Sequence, residues 1–133
     1  MLYAAVVSMC ESGGPNADQS KFHQVERMWQ AMPIYPDLVE VNATSSSIDE
    51  KAHISKTFKF KGPYEDVRRF YLEKLTQQGW KLVKEKKMYD WSRDFGGQYL
   101  GFEKDGYELS IEYAGATADK GWDYGIGIYW RDL

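Results

Sequence analysis

Two short stretches hold the residue types that can do chemistry. One is DWSRDFGG, residues 90–97, with Trp91, Arg93 and Asp94; the other is DKGWD, residues 119–123, with Asp119, Trp122 and Asp123. An indole face takes the C–H side of a sugar or a peptide ring, and aspartate or arginine at the rim bonds its polar groups. Tryptophan with acid and glycine in two neighbouring loops would make such a platform. The same residue types also turn hairpins and close the end of a core, with the tryptophans as caps. Both readings stay open at the level of sequence.

Other chemistry finds little support. Asp94-Phe95-Gly96 matches a kinase magnesium motif, but the remaining kinase signatures and the required length are missing. His23 and His53 are the only histidines, and Glu50 with His53 falls where a loop enters a strand, so no metal site is expected. No Gly-x-Ser-x-Gly elbow occurs and no glycine-rich phosphate loop is present. Glu108 and Glu112 share a strand face at about 13 Å, beyond the roughly 5–9.5 Å of a working acid pair. No catalytic residue and no cofactor is therefore assigned, and the expectation is a protein that is not an enzyme. The net charge of −3 over 133 residues gives no footprint for nucleic acid. The basic run KLVKEKKMY reads as a solvated strand face.

The elements that position the two loops follow from periodicity. AHISKTFKF alternates, with Ile54, Phe58 and Phe60 on one side and His53, Ser55, Thr57 and Lys59 on the other, as in a half-buried strand. KGPYEDVRRFYLEKLTQQG reads as the main helix, with Gly62 as cap, Pro63 in the first turn and Gly79 as its stop. Four strands follow: WKLVKEKKMY, QYLGFEK, YELSIEY and YGIGIYW, with Asp105-Gly106 as a two-residue hairpin turn. A shorter helix over 21–31 and a short strand around Leu38–Val41 precede them, and NATSSSIDE reads as a loop. One apolar and one polar strand face imply a two-layer α+β fold, a mostly antiparallel sheet of five to six strands with one main helix packed on one face. In that order the helix start and both tryptophan loops converge at one pole. The polar face carries His53, Lys59, Lys81, Glu85, Glu103, Glu108, Glu112 and Arg131. Gly125 and Gly127 leave a gap there that can admit a partner or a fatty chain.

The N-terminal part reads differently. LYAAVVSM is apolar but short, and ESGGPNADQS has linker composition, so residues 1–20 are expected as an apolar segment and tether before a single domain over 21–133. Val7-Ser8-Met9-Cys10 is similar to the cleavage box of a bacterial lipoprotein, with Cys10, the only cysteine, as lipid anchor. Met9 stands where that box has a small residue, and no positive charge precedes the apolar run; a start upstream of Met1 would supply one. The alternative is an N-terminal arm packed on the domain with Cys10 as a small hydrophobe.

Tyr35-Pro36 and Val39 in PIYPDLVEV, with Phe70-Tyr71, Leu75 and Gly79-Trp80 in FYLEKLTQQGW, resemble small uncharacterised domains of bacterial envelope proteins and lipoproteins, over residues 33–133. These are mainly fold-forming residues, so the resemblance implies an extracytoplasmic location and transfers no catalytic role. The expectation is a non-enzymatic periplasmic or cell-envelope domain that binds a protein or an envelope polymer, tethered to the membrane through Cys10. The alternatives are a soluble small-ligand or carbohydrate binder, cytoplasmic if Cys10 is unmodified, and an enzyme of unrecognised type.

Overall fold

The computed structural model describes residues 14–46, 52–90, 93–118 and 120–130. Two helices and six strands run in the order α1 (Gly14–Gln30), β1 (Val39–Ser46), β2 (His53–Lys59), α2 (Tyr64–Gln77), β3 (Lys81–Asp90), β4 (Arg93–Lys104), β5 (Tyr107–Tyr113) and β6 (Tyr124–Trp130). The strands form one open antiparallel sheet in the order β1-β2-β6-β5-β4-β3. Strands β3 to β6 form a meander that returns to β2, and α2 carries the chain from β2 across to the far edge. This is an α+β fold with helices on one side of a sheet.

Both helices share that side. Val25, Trp29 and Met32 of α1 and its C-terminal end join Val67, Tyr71 and Leu75 of α2 in one core with Leu100, Leu109, Ile111, Ile126 and Ile128. The two helices are tied to their surroundings by specific bonds. Trp29 Nε1 donates to the carbonyl of Ile54 at 2.9 Å, and Gln78 Nε2 of the α2 end donates to the carbonyl of Ala31 at 2.8 Å.

Several local expectations hold and several shift. Asp105 (φ 53°) and Gly106 (φ 84°) make the β4–β5 turn, and Gly79 (φ 93°) lets the chain leave α2. Pro63, rather than Gly62, is the residue that precedes the helix, with no side-chain cap on the first turn. Helix α1 runs from Gly14 to Gln30, so it starts well before residue 21. Strand β1 extends through Ser46, because its polar residues pair with β2 from Thr57 to His53.

Glu85 lies on the other face from the one its alternation suggested. The register of β3 against β4 shifts between Leu82 and Lys84, which leaves Val83 unpaired and turns Glu85 to the helix side. There it accepts two bonds from Arg68 of α2, at 2.7 and 3.2 Å. The Arg68 guanidinium holds the Glu85 carboxyl below the usual glutamate range.

Candidate functional site

The two tryptophan loops do adjoin. Thr117 Oγ1 donates to the carbonyl of Phe95 at 3.5 Å, and the α-carbon of Gly115 lies tight against the same peptide. Their charged residues are engaged with the chain itself. Asp94 accepts from the Gly96 amide at 2.8 Å and stands 3.6 Å from Lys87, and the Arg93 guanidinium lies 5.2 Å from the centre of the Phe95 ring. Asp123 is buried, and its two carboxylate oxygens accept from the Phe60 amide and from Lys61 Nζ, both at 2.8 Å. Trp91, Asp119 and Cys10 lie outside the described residues.

Trp122 belongs to a different surface. Its ring covers Gly125, with ring carbons 3.7 and 3.9 Å from where a β-carbon of that residue would stand. That places the indole over the face of the sheet that carries no helix.

Register fixes what else this face presents. Successive cross-strand rows read Thr57–Gly125–Glu112–Tyr99–Lys86, then Ser55–Gly127–Ser110–Gly101–Lys84, then His53–Tyr129–Glu108–Glu103–Lys81. Glycine or serine fills the middle row over four strands, so a trough crosses the sheet. The Tyr99 ring lies down over Gly101, 3.0 Å from its absent β-carbon, and the hydroxyls of Tyr99 and Tyr129 are hydrogen-bonded. Tyrosine from one flanking row and tyrosine from the other thus meet across the trough. On the β6 side remains a concavity of about 370 Å³, with Gly125 and Gly127 in its floor, Trp122 and Tyr129 among its walls, and Ser55, Thr57, Ser110 and Glu112 at its edges. On the β4 side lies a smaller one of about 160 Å³ beside Lys84, Gly101 and Glu103.

Glu112 stands at the junction of several hollows. It borders the 370 Å³ concavity, a smaller one with Phe95 and Lys120, and an open one with Lys84, Lys86 and Tyr99. Burial raises its carboxyl above the ordinary glutamate value, and the nearby Lys120 partly offsets this. A raised value means the folded chain holds the proton more tightly than the unfolded one. Stability therefore falls as pH climbs from the ordinary glutamate value through the raised one, and the penalty is complete above it. Glu112→Gln is expected to be more stable than the parent at pH 7, with the difference gone below about pH 4. Urea denaturation at the two pH values checks this; equal stabilities at pH 7 would show the carboxylate to be fully compensated.

Titratable groups on the helix side offer no comparable opening. Tyr64, Tyr113 and Tyr124 stack at centroid distances of 4.9 to 6.5 Å, and the buried hydroxyls of Tyr64 and Tyr124 have no hydrogen-bond partner among the described residues. Burial pushes Tyr64 up to about 12 and raises Tyr124 further, so both stay neutral and act as core. Among the described residues no three His, Cys, Asp or Glu side chains group as metal ligands, and no helix is long and apolar enough to cross a membrane.

No family model, curated protein or solved structure matches this chain. The sequence signal for the site was the Gly125-Ile126-Gly127 alternation, which empties one face of a central strand; the role of Trp122 as its wall was not written in any spacing.

Proposed function

We propose that the chain is a non-enzymatic binding domain of the cell envelope whose ligand seats on the open face of the sheet, between Trp122 and Tyr129. The observation that carries the binding reading is the hollow over Gly127 in a central strand, between Trp122, whose ring packs over Gly125, and Tyr129. Glycine inside a strand costs roughly 0.5–1 kcal/mol relative to alanine; at Gly125 the Trp122 ring uses the space, which leaves Gly127 as the open floor. Spacing supports binding over turnover. His53 and Glu112 sit two strands and two rows apart, about 16 Å by strand spacing and rise, too far to share a proton.

A fragment screen read by amide NMR on the full chain tests the location. Hits that cluster on Ser55, Ser110, Gly125 and Gly127 are expected. Hits that gather instead at the β3–β4 tip, or none on the open face, would sink the reading.

The envelope location rests on the Val7–Cys10 box and on the resemblance of residues 33–133 to envelope domains. Intact mass and membrane fractionation of protein made from its own gene, upstream codons included, test it. A diacylglyceryl mass lost in Cys10→Ala is expected; an unmodified chain recovered in the soluble fraction would overturn the tether and leave the binding face untouched.

A further inference from the structure

We infer that the hollow between Trp122 and Tyr129 takes a neutral pyranose ring, its C–H face on the indole and its hydroxyls on the serine, threonine and glutamate side chains at the edges. This names the ligand class for the open-face reading and rests on it.

The lining decides between ligand chemistries. Ser55, Thr57 and Ser110 each offer a hydroxyl that both donates and accepts, His53 adds an imidazole, and Glu112 supplies a carboxyl. A fatty chain would leave these polar groups desolvated and unpaired, which costs about 1–3 kcal/mol for each. An anionic ligand needs a cation, and among the described residues no lysine or arginine lines this hollow. Lys120 borders the adjoining space with Met88 and Phe95, and Lys84 lies beyond Gly101. A cationic ligand would find a single carboxylate among the described lining residues, Glu112, and the nearby Lys120 already partly offsets its charge. What remains is a neutral molecule with an apolar face and a rim of hydroxyls.

Shape agrees with that class. The two strands flanking β6 are about 10 Å apart, and Gly125 to Tyr129 spans about 13 Å along the strand. A hollow of about 370 Å³ lies at the small end of ligand pockets, ~300–1,000 Å³, and suits one ring or two. At Gly127 the flanking groups are already close, with Ser55 Cβ 3.4 Å and Ser110 Oγ 3.6 Å from an added β-carbon. A methyl there fits the fold and raises the floor under the ligand.

Amide NMR titration of the full chain with cellobiose, maltose and N,N′-diacetylchitobiose tests the inference, with tetramethylammonium and decanoate as charged and lipid probes. At least one disaccharide is expected to shift Ser110, Gly125 and Gly127 saturably. Trp122→Ala should weaken that binding by at least about tenfold, and Gly127→Ala should weaken it with the fold intact. If tetramethylammonium or decanoate shifts these amides and no disaccharide does, the ligand class is wrong and the open-face reading stands. If no probe of any class shifts them, both fall. A saturable disaccharide shift that neither variant changes would also overturn the seating described here.

Discussion

Gly115→Ala is expected to destabilise the protein by about 2–5 kcal/mol, through left-handed strain and overpacking together. Gly115 has φ 107°, and a β-carbon there would stand 2.1 Å from the carbonyl oxygen of Phe95 and 2.6 Å from its carbon. Those atoms are backbone at the start of β4, so no rotamer change can relieve the contact. Gly121, in the same β5–β6 loop, gives the control. Its φ is 80°, yet among the described residues nothing lies within 4 Å of an added β-carbon. Gly121→Ala should therefore carry the backbone term alone, about 1–2 kcal/mol. Urea denaturation of both variants separates the two contributions. Equal losses would mean that the loop and the β4 start are not in contact as described. The contact bears on the proposed site because this loop carries Trp122, and spreading its base would move the indole off Gly125.

The parts of this fold that were legible in the sequence are those set by local rules. YELSIEY and YGIGIYW announce their buried faces by alternation, and Asp105-Gly106 and Gly79 mark backbone that needs positive φ. What escaped depends on partners distant in the chain. The polar run after Val41 is strand because β2 offers it a ladder, not because Asn, Thr and Ser favour strands. Glu85 changed faces through one bulged residue, which leaves no trace in a pattern of period two. Gly14-Pro15 reads as tether by composition, yet proline is tolerated in a helical first turn, so composition could not fix where α1 begins. The candidate site divides the same way. The glycines at 125 and 127 were visible, whereas the burial of Glu112 follows from tertiary packing that no local pattern encodes. Trp122 was visible as a residue type in a loop at the pole, but not its position over Gly125, because a loop can fold its side chain back over the sheet.

Asp123 shows why a residue chosen for chemistry can instead be architecture. Asp123→Ala is expected to cost about 2–3 kcal/mol, the range for removing a charge-assisted bond and leaving a buried donor unmatched. The donor is the Phe60 amide, at the exit of β2 toward α2, which Asp123 Oδ2 accepts at 2.8 Å. The Asp123 backbone is committed too: its amide donates to Phe58 and its carbonyl accepts from Ala114. Lys61, the partner of the other oxygen, is 81% exposed, so that ion pair contributes little, roughly 0–1 kcal/mol. Asp123→Asn separates the two roles, since its amide oxygen can still accept from Phe60. The asparagine variant should lose no more than about 1 kcal/mol, and the alanine variant two to three times as much. If both variants lose the same, the charge and not the acceptor holds the loop. Trp122 immediately precedes this anchor, so a loosened Asp123 should also weaken any ligand bound against the indole, even though Asp123 itself does not line the hollow.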